Sequence, residues 1–348
     1  MKKYLITSTR TGAGKTTVAL GILLNAREKR GVAYFKPFGD NLITREKKLC
    51  DRDAQLFIEC LGLEADASRL SIAFDYETLM EDLEREHLSS SISSRGEQLM
   101  TGIDLSMIES ARNFSYGAFL GFDAISLSEL LDAEMLLVAD GDPGLIVDKC
   151  EVVRKVMQNR KVKLAGVIIN NVREVDMDRT RRLALPALEQ RGIDVLGVLP
   201  HFGILSQINA MLVAEKLGAK VLSGEGGIGK PIRKILVGAM RADTALQMRS
   251  LYEPHKLIIT GGDRVDMIMT AFDTGTSCII LTGDLIPHPR ILARADELEV
   301  PMLSVPMDTY TTAQMIERIR AETRSDDAAK IDIIRKIVRE GLDLGKIL

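Results

Sequence analysis

Thr9-Arg10-Thr11-Gly12-Ala13-Gly14-Lys15-Thr16-Thr17 decides how this chain is read. The apolar run Tyr4 to Thr7 before it has the length of a buried strand. Thr16 to Lys29 after it places Val18, Ala19, Ile22, Leu23 and Ala26 at helical spacing, with Gly31 as a stop. A glycine-rich turn from strand to helix can aim several backbone N–H groups at one anion, and the helix start adds partial positive charge there. The pattern Gly14-Lys15-Thr16 is the core of a phosphate loop, although Thr9 stands where the usual motif has its first glycine. The residues expected to cradle the phosphates are Thr11, Gly12, Ala13, Gly14, Lys15, Thr16 and Thr17. Lys15 is expected at the β/γ-phosphates and the Thr16 hydroxyl on Mg²⁺, a hard cation that takes oxygen ligands. The implied ligands are ATP and Mg²⁺. A dinucleotide fold is set aside, since no G-x-G-x-x-G occurs at this turn.

Outward from the loop, short apolar runs alternate with helical stretches. Strands are expected at Val32 to Phe35, Leu105 to Glu109, Met135 to Ala139, Leu164 to Ile169 and Asp194 to Leu199. Helices are expected at Ala54 to Cys60, Ile125 to Leu131, Cys150 to Val156 and Arg179 to Arg191. The alternation predicts an α/β fold, a mostly parallel P-loop NTPase-type sheet with helices on both faces. It breaks at Ser223-Gly224-Glu225-Gly226-Gly227-Ile228-Gly229-Lys230-Pro231, whose glycines read as a linker. It resumes with strands at Lys234 to Ala239, Leu257 to Thr260, Cys278 to Leu281 and Met302 to Val305. The expected division is therefore a nucleotide domain over 1–222, a linker over 223–231, a smaller α/β domain over 232–322 and a C-terminal amphipathic helix within 323–348. That helix carries Ile331, Ile334, Ile337 and Val338 on one face.

Composition narrows the partners. The chain has 348 residues, 46% hydrophobic and 27% charged, with a formal net charge of −3. Such a balance gives no overall attraction to nucleic acid or to an anionic membrane, and small molecules are the better fit. Cys50, Cys60, Cys150 and Cys278 lack metal-site spacing and suit a reducing cytoplasm. No apolar run approaches the roughly 18 residues that span a bilayer.

The loop beginning with Thr9, followed by Phe35-Lys36-Pro37 after the second strand, resembles dethiobiotin synthetase. That family belongs to a deviant P-loop class that includes cobyrinic acid a,c-diamide synthases and cell-division ATPases. The resemblance implies that Thr16, Asp53 and Glu109 surround Mg²⁺, with Asp51 an alternative to Asp53 and Asp140 to Glu109. It also implies that Lys36 faces substrate carboxylate, carbamate and γ-phosphate, and that Asn170, or Asn171, reads adenine beside Pro200. Arg10 stands where related ATPases carry a lysine that crosses a dimer interface, so it could act in a partner subunit or within its own chain. A homodimer follows from the same comparison. One departure separates the chain from the synthetases: Ser110-Ala111-Arg112-Asn113-Phe114 replaces their glycine-rich substrate loop.

Thr260-Gly261-Gly262-Asp263-Arg264 and Ile279-Ile280-Leu281-Thr282-Gly283 resemble the DRTGG domain, with Val265-Asp266-Met267 in place of its Thr-Gly-Gly. The pairing resembles the N-terminal portion of long phosphotransacetylases. Two functions follow as expectations: a regulatory or sensory Mg-ATP module with slow hydrolysis, or an ATP-dependent ligase that activates a small carboxylate or carbamate.

Overall fold

The computed structural model describes residues 1–45, 47–72, 80 and 85–348. They form two compact units, one of 1–202 with 323–348 and one of 203–322.

In the first unit, β1 (Lys2–Ser8) is central in a six-stranded parallel sheet of order β2-β5-β1-β6-β7-β8. Its neighbours are β2 (Val32–Phe35), β5 (Leu105–Glu109), β6 (Glu134–Ala139), β7 (Leu164–Val172) and β8 (Val195–Pro200). The short apolar runs are buried on both faces because side chains alternate across a strand. Leu5, Ile108, Leu137 and Ile169 point into one core, which is closed by α3 (Arg85–Met100), α4 (Ala124–Leu131), α5 (Pro143–Met157) and α6 (Met177–Glu189). Their strand neighbours, such as Ile6, Met107 and Ile168, are equally buried. α1 (Lys15–Ala26) packs on β1, β5 and α2 (Arg52–Leu61). The antiparallel hairpin of β3 (Leu42–Arg45) and β4 (Lys48–Asp51) precedes α2. α5 starts seven residues before the expected Cys150, with Asp142 at its N-cap and Pro143 in its first turn, a start signal present in the sequence.

The second unit holds a short antiparallel pair, β9 (Ile208–Asn209) with β11 (Pro231–Ile232), and a five-stranded sheet of order β10-β15-β14-β13-β12. β12 (Lys234–Val237), β13 (Lys256–Gly261), β14 (Thr276–Thr282) and β15 (Met302–Ser304) run parallel, and β10 (Lys220–Ser223) is an antiparallel edge. α7 (Ala210–Leu217) contributes to the core on one face; Met267, Ile268 and Ala271 from the helix Val265–Asp273 help fill the other.

Two expected boundaries are corrected. The division falls between Phe202 and Gly203, so β10 and the stretch 223–231 lie inside the second unit. The glycines there serve close packing: a Cβ on Gly224 would sit 2.1 Å from the Val300 carbonyl oxygen, and one on Gly227 would sit 1.8 Å from that of Glu299. The expected segment 323–348 belongs to the first unit, where the helix α8 (Ala328–Gly341) lies on α1. Gly21 makes the close approach possible, since a Cβ there would meet Val338 Cγ2 at 2.3 Å. Beyond α8, Leu342 bridges to Gly197 and the Asp343 N–H donates to the Leu196 carbonyl at 2.8 Å, which covers the outer edge of β8.

Candidate functional site

The phosphate loop leaves the carboxyl end of β1, which lies between β5 and β6, where strand order reverses and open α/β sheets form their crevice. Gly12 and Gly14 hold left-handed backbone at φ 80° and 92°. Gly14 is the N-cap of α1 and makes no side-chain cap, so the helix opens on backbone N–H groups. Thr9 N–H donates to the Val138 carbonyl at 3.0 Å, tying the loop to β6. On the opposite side the Asn170 amide donates to the Ala13 carbonyl at 2.8 Å, and Asn171 reaches the same oxygen at 3.4 Å. A Cβ at Gly14 would collide with Asn170 Nδ2 at 2.3 Å, so glycine is required by space as well as by backbone angle. Pro200 ends β8 opposite Val172, two residues past Asn170.

The two strand-end acids take different partners. Glu109, wholly buried, accepts from the Thr16 hydroxyl at 2.7 Å and from the Tyr34 hydroxyl at 2.9 Å, with Lys15 Nζ at 3.8 Å. Burial pushes its carboxyl up to about 7, against the pull of Lys15 and Lys36. Burial next to Glu109 likewise raises the Tyr34 phenol well above its ordinary value. Asp140 instead receives Arg10, whose Nε donates to Oδ1 at 2.8 Å and whose NH2 group closes on Oδ2.

Lys36 is also wholly buried and meets three carboxylates: Asp40 at 2.5 Å, Asp53 at 2.6 Å and Asp51 at 3.2 Å. Burial alone would lower its pKa, but Asp53, Asp51 and Asp40 hold it well above the usual lysine value. Asp51 has a structural task, as it caps α2 by accepting from the N–H groups of Asp53 and Ala54 and also binds those of Asp40 and Asn41. Asp53 retains more solvent contact, with its side chain 20% exposed. The carboxylates of Asp40, Asp51 and Asp53 converge as a metal site would, yet the Lys36 ammonium bonds to all three.

Three contributors had no motif to announce them. Asp40 lies four residues after Lys36. Tyr34 stacks on Phe57 with centroids 3.6 Å apart and orients Glu109. Arg112 acts through its backbone: its carbonyl accepts from Lys15 Nζ at 3.1 Å and Ser8 Oγ at 3.2 Å, and its N–H donates to Asp40 at 2.8 Å.

A six-stranded parallel sheet with this loop at its reversal defines an α/β protein of P-loop NTPase type. Residues 2–209 match the family model AAA_26, described as an AAA domain, and the chain belongs to that family. Residues 212–319 match the DRTGG domain, in keeping with a division near residue 203. The chain is 27% identical over 370 residues to a phosphate acetyltransferase of Pseudomonas aeruginosa, covering 99% of this chain and 51% of that protein. A phosphate acetyltransferase of Pseudomonas putida is 28% identical over 369 residues, with the same coverage. The chain thus spans about half the length of the curated relatives it matches. Among solved structures, the MinC:MinD cell division complex of Aquifex aeolicus matches 59% of this chain and 84% of that chain, at 16% identity and a TM-score of 0.37. No helix among the described residues is long and apolar enough to cross a membrane.

Proposed function

We propose that the first unit binds Mg-ATP and works as a regulatory or sensory nucleotide module with slow hydrolysis. The observation that carries this reading is the Thr16–Glu109 hydrogen bond beside the open start of α1. It brings a hydroxyl and a carboxylate oxygen together where a phosphate-bound magnesium ion needs hard ligands. Magnesium would screen the phosphate charge, with Thr16, Glu109 and Asp53 as its protein ligands. Lys15 supplies the neighbouring positive charge.

Asn170 reads the adenine through its side-chain amide. One N–H of its Nδ2 is engaged by the Ala13 carbonyl, which leaves Oδ1 as an acceptor for the exocyclic amine and the second N–H as a donor to a ring nitrogen. Pro200 would flank the base.

The regulatory reading is preferred to the ligase reading because Lys36, the residue that would hold an anionic substrate, is saturated by Asp40, Asp51 and Asp53. From the curated relatives the proposal takes only the pairing of the two units. It includes a homodimer whose arrangement responds to ATP. Hydrolysis measured with a panel of small carboxylic acids and amines, alongside light scattering with and without ATP, tests it. The expected result is slow turnover indifferent to every metabolite, with an ATP-dependent change in mass. Stimulation by one carboxylate would replace the regulatory reading with the ligase one.

A further inference from the structure

Arg112 adopts left-handed backbone at φ 44°, a conformation that costs a non-glycine residue free energy and persists only where its surroundings impose it. Its surroundings are three hydrogen bonds. The carbonyl holds Lys15 Nζ and Ser8 Oγ, at opposite ends of the phosphate loop, while the N–H holds Asp40 Oδ2. Asp40 in turn uses Oδ1 for the buried ammonium of Lys36. A continuous path therefore runs from Lys15 through one strained residue to Asp40 and Lys36. The Arg112 side chain takes no part in it; its guanidinium lies 5.1 Å from the centroid of the Tyr116 ring.

We infer that residues 110–114 form a latch, held by the hydrogen bonds of Arg112, that phosphate opens. This rests on the ATP-binding reading. A neutral carbonyl is a weaker partner for an ammonium than a phosphate oxygen, so bound phosphate takes Lys15 from Arg112. The φ 44° backbone then loses the bond that offsets its strain and relaxes, and the Arg112 N–H leaves Asp40. Lys36 keeps Asp51 and Asp53 and loses the rigid placement of its third carboxylate. Phosphate occupancy is reported in this way at the Lys36 cluster and on an exposed arginine, without a change in the sheet.

Hydrogen exchange at the Arg112 amide, measured on the full chain with and without Mg-ATP, reads the latch directly, with Asp40→Ala and the milder Asp40→Asn as variants. ATP is expected to speed exchange at Arg112 about tenfold in the wild type. Asp40→Ala is expected to exchange fast without nucleotide and to bind ATP about fivefold more tightly, since the closed state no longer competes; Asp40→Asn should lie between. ATP bound with exchange at Arg112 unchanged or slowed, or Asp40→Ala binding no more tightly than wild type, overturns the latch alone. Failure of the wild type to bind ATP overturns the latch and the nucleotide reading together.

Discussion

Arg10 reaches from the phosphate loop to Asp140 at the end of β6, pairing the Nε–NH2 edge of its guanidinium with both oxygens of a carboxylate that is only 3% exposed. An arginine held so firmly by its own chain supports action in cis rather than across a dimer. Mixing Arg10→Ala with Lys15→Ala subunits is expected to restore no hydrolysis. Arg10→Ala should also lower stability by about 1–3 kcal/mol, because Asp140 is left buried without its partner. Recovery of activity in the mixture would establish the trans role instead.

Glu109 imposes a pH dependence on folding. Its carboxyl is raised from 4.5 to about 7, so between those values the folded chain binds more protons at this site than the unfolded chain. The contribution of Glu109 to stability therefore falls as pH rises from about 4.5 to 7 and is constant above that window. Urea unfolding of Glu109→Gln across this range is expected to gain on the wild type by roughly 3 kcal/mol toward neutral pH. Parallel curves would contradict the buried, raised carboxyl.

The contact of α1 with α8 depends on Gly21. Gly21→Ala places a methyl against Val338 and is expected to cost about 1–3 kcal/mol by overpacking. Val338→Ala in the same chain should recover much of that loss. A double-mutant cycle by thermal unfolding checks it, and simple additivity of the two changes would mean that the helices do not meet there.

The strands were legible because burial on both faces leaves an uninterrupted apolar run. Val32–Phe35 and Leu105–Glu109 fall on the expected residues. The hairpin Leu42–Asp51 was not anticipated, since its few apolar residues are separated by charges and it packs outside the sheet. The glycines of 223–231 misled for a physical reason: composition cannot distinguish a glycine that bends freely from one that admits a neighbouring carbonyl, as Gly224 and Gly227 do.

At the site, the sequence offered both Glu109 and Asp140, and only packing separates the acid that meets Thr16 from the one that meets Arg10. Asp40 carried a faint signal in its spacing from Lys36. Arg112 carried none, because its contribution is a carbonyl and an N–H that any residue type possesses.

The most direct measurement is equilibrium binding of ATP with magnesium to the full chain and to Lys15→Ala, by calorimetry. Saturable binding at one site per chain is expected, weakened at least about tenfold in the variant by loss of the charge-assisted contact to phosphate. Equal affinity in the two proteins would contradict the assignment of the loop from Thr9 to Thr17 as the phosphate site.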